Sequence, residues 1–233
     1  TSPVITSTNV VSTIDDGLTA LGSVSANEPV TWSISEGTGV SIATDGTLTL
    51  NSEANYLVRS SYNFTIKAVD SKSNESTESL VVNVTDTTNP IISSATVVES
   101  INDGLTALGS VSANEAVLWS ISEGTGVSIA TDGTLSLDAE ADYQVANSHS
   151  FTVKAIDASG NQSTKALVIN VNDITSPIIN IVNVVETIND GLTALGSVSA
   201  NETVTWSIDV GTGVSIAIDG TLSLDAVADY QVT

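Results

Sequence analysis

The chain has 233 residues, 27 acids against five bases, a net charge of −22, one histidine and no cysteine. Disulfides, Cys-based zinc sites, His-dependent triads and multi-His metal sites are therefore excluded. The acidic field opposes nucleic acid and anionic lipid, which need basic contacts, and it favours divalent cations.

Reading from the N-terminus, Val30-Thr31-Trp32-Ser33-Ile34 alternates apolar and polar residues, the mark of a strand with one wet face. Thr44-Asp45-Gly46-Thr47 is a hairpin signal, and Asp-Gly predicts a tight primed turn. Phe64-Thr65-Ile66-Lys67-Ala68 and Leu80-Val81-Val82-Asn83-Val84 are further strands, rich in the residues that strands favour. No stretch carries a sustained helical period or is apolar for long enough to span a bilayer.

The same text then returns twice. Trp32, Trp119 and Trp206 lie 87 residues apart, as do Asp16-Gly17, Asp103-Gly104 and Asp190-Gly191. Ile14–Leu50 differs from Ile101–Leu137 at four of 37 positions, and Ile188–Leu224 differs from the second copy at five. A unit copied so closely is a building block that supplies length or copy number rather than one catalytic constellation. We expect repeats at 1–88, 89–175 and 176–233, the third ending before the equivalents of Asn147–Asp173. The opening Thr1-Ser2-Pro3 matches the linkers at Thr88-Asn89-Pro90 and Thr175-Ser176-Pro177, so a fragment of a longer array is expected. Short linkers with Pro and no Gly predict repeats stacked end to end with little bending.

In the second copy strands are predicted near 91–98, 105–112, 116–121, 126–130, 134–137, 149–156 and 165–172. Seven short strands per repeat imply an all-β, Greek-key β-sandwich. Trp119 falls on the third strand, where an indole buried against Phe151, Val153 and Leu167 is expected; an exposed carbohydrate platform is the alternative. Glu123-Gly124-Thr125-Gly126 reads as a turn, since no Lys or following helix supports a phosphate loop. His149 reads as a solvated strand residue. Asn63-Phe64-Thr65, Asn74-Glu75-Ser76 and Asn83-Val84-Thr85 fit the glycosylation pattern, which chance produces in so Asn- and Ser/Thr-rich a chain.

Six short motifs then fall in a particular order in the second copy. They are Val97-Val98-Glu99, Ser112-Ala113-Asn114-Glu115, Trp119-Ser120-Ile121, Leu137-Asp138-Ala139-Glu140, Ala155-Ile156-Asp157 and Val171-Asn172-Asp173. The order resembles the cadherin-like repeats of bacterial surface proteins and adhesins. The resemblance implies Ca²⁺ held between neighbouring repeats by acids from both and from the linker. At the second junction the implied ligands are Glu99, Asp138, Glu140, Asp173 and Glu202. At the first they are Glu53, Asp86, Glu115 and Asp157, with Ser12 and Asn51 where acids are expected. The second junction is accordingly expected to bind more tightly. The linkers are two residues shorter than the eukaryotic cadherin pattern, as in metal-free immunoglobulin-like repeats of bacteria.

The function implied is a non-enzymatic, extracellular stalk of a surface adhesin. Its partners would be neighbouring repeats of the same chain and other copies in a fibre or surface layer, with no nucleic acid and no membrane insertion. Two alternatives stand beside it: a virion or filament component, such as a phage fibre, and a spacer or carbohydrate-binding appendage of a secreted enzyme.

Overall fold

The first repeat forms eight strands in a computed structural model that describes residues 1–229. These are β1 (Ile5–Val10), β2 (Thr13–Asp15), β3 (Ala20–Ala26), β4 (Thr31–Glu36), β5 (Val40–Ile42), β6 (Thr47–Leu50), β7 (Ser61–Val69) and β8 (Glu75–Thr85). They make two four-stranded sheets, β1-β3-β6-β5 and β2-β8-β7-β4. The sandwich arises because β7 and β8 put alternate residues inward: Tyr62, Phe64, Ile66 and Ala68 from one, Val82 and Val84 from the other. They meet Leu21, Val24, Leu48 and Leu50 of the facing sheet. Leu21, Leu48, Ile66 and Val82 are wholly enclosed, each worth about 1.5–3 kcal/mol of burial.

The first two repeats each contain a short strand just beyond the expected first one, at Thr13–Asp15 and Ser100–Asn102, that was not foreseen. β1 pairs antiparallel with β3, the chain breaks at Val11–Ser12, and β2 then pairs parallel with β8, Ile14 opposite Val84. The N-terminal segment thus belongs to both sheets in turn. Its alternation gives no warning, because both halves present apolar residues to the same core.

The second repeat follows the same plan with β9 (Ile92–Ser93), β10 (Ser100–Asn102), β11 (Ala107–Ser110), β12 (Ser112–Ala113), β13 (Leu118–Glu123), β14 (Val127–Ile129), β15 (Thr134–Leu137), β16 (Ser148–Ile156) and β17 (Gln162–Asn172). One sheet is β10-β17-β16-β13; opposite it run β11-β15-β14 and the pair β12-β9. The third repeat contributes β18 (Ile179–Ile181), β19 (Ala194–Ala200), β20 (Val214–Ile216) and β21 (Thr221–Leu224) in one sheet, β18-β19-β21-β20. Among the described residues it forms no second sheet. Leu195 and Leu222 are accordingly half-buried, where Leu21 and Leu48 are enclosed.

By density of contacts the chain divides into two compact units. One is Thr1–Val97 with Leu108–Ser136 and Ser150–Leu167; the other is Val98–Ala107 with Leu137–His149 and the chain from Val168. The dividing line runs through the second repeat.

Two local expectations are corrected. The Asp-Gly turn is not a primed turn, which needs positive φ at both central residues. Gly46 has φ +85° but Asp45 does not share it, since Ser73 is the one non-Gly residue described with positive φ. Gly46 N–H donates to the Ala43 carbonyl and Ala43 N–H to that of Thr47, the longer loop that places a single glycine in the left-handed region. The Asp45 carboxylate accepts the Thr47 amide, which holds its pKa below the usual value. Nor are the indoles fully enclosed. Trp32, Trp119 and Trp206 are half-buried; Trp32 packs on the edge of the core, and its Nε1 stands 3.4 Å from where a Cβ on Gly46 would lie. β4 and β13 are edge strands, so one side of each ring stays open.

The β7–β8 turn offers a test of backbone conformation. Ser73 has φ +65°, whereas the second repeat places Gly160, φ +92°, at the same position. A left-handed non-Gly residue costs roughly 1–2 kcal/mol. Ser73→Gly should therefore stabilise the first repeat by about 1 kcal/mol in urea unfolding. An unchanged midpoint would show that the turn carries no strain.

Candidate metal centre at the first repeat junction

Asp86 follows directly on β8 and is buried, although it is charged. Its Oδ1 accepts the amide and hydroxyl of Thr88, and its backbone carbonyl accepts Asn161 Nδ2 at 3.2 Å. Pro90, wholly buried, fixes the linker beyond it.

Asp157 closes β16, and it too is buried. Its Oδ1 accepts the amides of Ser159 and Asn161 at 2.8 and 2.9 Å, and Oδ2 accepts Asn161 Nδ2 at 2.8 Å. Burial raises its pKa, but the Asn161 side chain and the turn amides outweigh this and leave it below the usual value. The turn is intrinsic to the repeat, because Asp70 accepts the amides of Lys72 and Asn74 in the same way.

Glu115 comes from the loop after β12. Asn114 beside it accepts the Ile91 amide at 2.6 Å, which ties that loop to the linker. The residue is only half-buried, but its Oε1 is shielded from solvent and has no hydrogen-bond donor. Burial pushes its pKa up, and the charges of Asp86, Asp157 and Asp16 push it further.

Carboxylate oxygens of Asp86, Glu115 and Asp157 all lie within 4.8 Å of one another. Among the described residues this is the one group of three such acids so arranged. The donor set is all oxygen, as a hard cation prefers, and the shielded Oε1 lacks the positive partner it needs. The three residues fit Ca²⁺.

The other implied ligands lie elsewhere. Glu53 is exposed and lines an open cleft with Asp16 and Thr88. Glu99 is exposed, and Ser100 pairs with Asn170, so Glu99 sits four residues of strand before Asp173, about 13 Å. Asp138 is exposed at a position that faces its own hairpin in the flanking repeats, where Ser41 donates to Asn51 and Ser215 to Asp225. Glu140 lines an open cleft with Asp103, Asp142 and Gln144.

Asp173 and Glu202 do approach each other, yet both accept the amide of Gln144, at 3.1 and 3.0 Å. Glu202 also keeps a shielded, donorless Oε1. Burial raises its pKa first, then contact with Asp173, then the charge of Asp103.

Two contributors were not foreseen. Asp16 accepts the Tyr56 amide at 2.7 Å and, through Oδ2, the Thr88 hydroxyl, which places its charge beside the cluster. It is recognisable in the sequence only as a repeat landmark. Asn161 braces both Asp86 and Asp157, with no signal beyond its fixed distance from the latter.

No family model matches the sequence, and no curated protein does. Solved structures do. Human CDH23 EC21-23 matches at 17% identity and a TM-score of 0.58, over 99% of this chain and 92% of that one. Mouse cadherin-23 EC22-24 matches at 19% and 0.53, over 97% and 89%. Protocadherin gamma B2 extracellular cadherin domains 3-6 match at 16% and 0.55 over 98% of this chain, which spans 65% of that protein's length. The fold is that of tandem cadherin-like β-sandwich repeats.

Proposed function

We propose that the chain is part of a non-enzymatic, extracellular array of three repeats, 1–88, 89–175 and 176–233, serving as the stalk of an adhesin or surface protein. Calcium is held at its first junction. The carrying observation is the convergence of Asp86, Glu115 and Asp157 with one shielded oxygen left without a donor. Asp86 comes from the linker, whereas Glu115 and Asp157 come from two loops of the second repeat. Bound Ca²⁺ would join the linker to those loops and neutralise their mutual repulsion. Asp16 and Glu53, from the first repeat, stand beside the site as outer anions.

The extracellular setting accords with the affinity such a site would have, since extracellular modules bind calcium at about 0.1–1 mM. Calorimetric titration of the whole chain with CaCl₂ tests the reading. Saturable heat is expected that Asp86→Asn removes. No heat, with a melting temperature unchanged by chelator, would leave the junction metal-free.

A further inference from the structure

We infer that the second junction is a metal-independent latch, in which the side-chain amide of Gln144 occupies the place between Asp173 and Glu202 that a cation would otherwise take. Gln144 Nε2 donates to Asp173 Oδ2 at 3.1 Å and to Glu202 Oε2 at 3.0 Å. The two amide hydrogens match two acceptors, and the opposite amide orientation would set Oε1 against two carboxylates. Asp173 Oδ1 is engaged as well, by the amide and hydroxyl of Thr175 at 3.2 Å each. Both oxygens of Asp173 are thus committed to neutral donors, while Glu202 is held through Oε2 and keeps Oε1 without a donor.

The loop that presents Gln144 is fixed at both ends of the contact. Gln144 N–H donates to Asp142 Oδ1 at 2.9 Å, and Tyr143 N–H to Asp103 Oδ1 at 2.7 Å. The corresponding residue in the first repeat is Leu57, which has no donor to offer. There the equivalent acids, Asp86 and Glu115, gather with Asp157 into the open cluster. Leu57 to Gln144 is one of 19 differences between 51–87 and 138–174, and it is the one that sets an amide donor between the two acids. The latch predicts no calcium binding at the second junction, against the tighter binding there that a count of acids suggests. It does not rest on calcium binding at the first junction.

Hydrogen exchange read by mass spectrometry on the whole chain tests it, with CaCl₂ and with EGTA, in the wild type, Gln144→Leu and Gln144→Glu. The segment 173–178 of the wild type should exchange at one rate in both conditions. Gln144→Leu should accelerate it tenfold or more in both. Gln144→Glu, which places a third carboxylate there, should accelerate it in EGTA and restore protection in calcium. Gln144 is exposed, and exchange across 150–156 reports whether each variant keeps its core. Calcium-dependent protection of 173–178 in the wild type would overturn the latch, as would a Gln144→Leu rate within twofold of wild type. A segment 86–90 indifferent to calcium would count against the first-junction reading alone.

Discussion

Gly22→Ala should cost the first repeat more than about 3 kcal/mol, while Gly17→Ala should cost only about 1–2. Both glycines have positive φ, +100° and +80°, so both carry the left-handed penalty. They differ in what a methyl group would meet. At Gly17 nothing lies within 4 Å. At Gly22 a Cβ would stand 2.0 Å from the Asn9 carbonyl oxygen and 3.2 Å from Val10 Cα, both backbone atoms that cannot rotate away. Gly22 pairs with Val10, so relief requires β1 to leave β3 and opens one edge of the sandwich. Few single substitutions exceed 3 kcal/mol, and those that do have such an identifiable cause. Urea unfolding checks this in a Trp119→Phe, Trp206→Phe background, where Trp32 alone reports on the first repeat. Equal costs for the two variants would mean that β1 contributes nothing to stability.

Acidification should stabilise the calcium-free chain and destabilise the calcium-bound one. Glu115 and Glu202 have raised pKa values, so between the ordinary value near 4.5 and the raised one the folded state binds more protons than the unfolded state. Stability then rises as pH falls through that window. Below it the trend reverses, because Asp157, Asp70 and Asp45 have lowered pKa values and their contributions are lost as they protonate. Bound calcium requires Glu115 ionised, so at saturation the same acidification costs binding energy. At ten times the dissociation constant, calcium adds about 1.4 kcal/mol at neutral pH, which should raise the melting temperature by a few degrees. Glu115→Gln should remove most of that shift and reduce the acid-side gain, leaving the share of Glu202. Melting curves from pH 7 to 4, with calcium and with chelator, measure both slopes. Parallel curves would dissociate Glu115 from cation binding.

Much of the fold can be read from the chain because strand physics is local. The alternation through Phe64–Ala68 becomes the observed alternation of enclosed and half-buried residues. The separate strand β2 was missed because its pairing is not local: it depends on β8, some seventy residues on, lying alongside after Ser12. The turn at Asp45-Gly46 is right in place and wrong in type, because Asp-Gly is compatible with several loops and pairing further along the hairpin decides among them. At the site, the implied Asp86, Glu115 and Asp157 converge because all three lie at strand ends or in the adjoining loops. Glu99 fails to converge because motif order does not say how far along a strand a residue sits. Gln144 was invisible for a different reason: a lone amide in an exposed loop has no pattern until both of its acceptors are in place.

The parallel pairing of β2 with β8 has a mechanical consequence. Thr13, Ile14 and Asp15 lie alongside Asn83, Val84 and Thr85, and the two strands run in the same direction. Tension applied through the polypeptide pulls β2 by its start and β8 by its end, hence in opposite senses along one shared ladder. The hydrogen bonds of that ladder are loaded together, in shear, instead of one after another as in a peeled hairpin. Rupture under force follows the unfolding rate rather than the equilibrium free energy. A three-residue clasp between the first and last strands of a repeat can therefore resist pulling out of proportion to its share of the fold's stability.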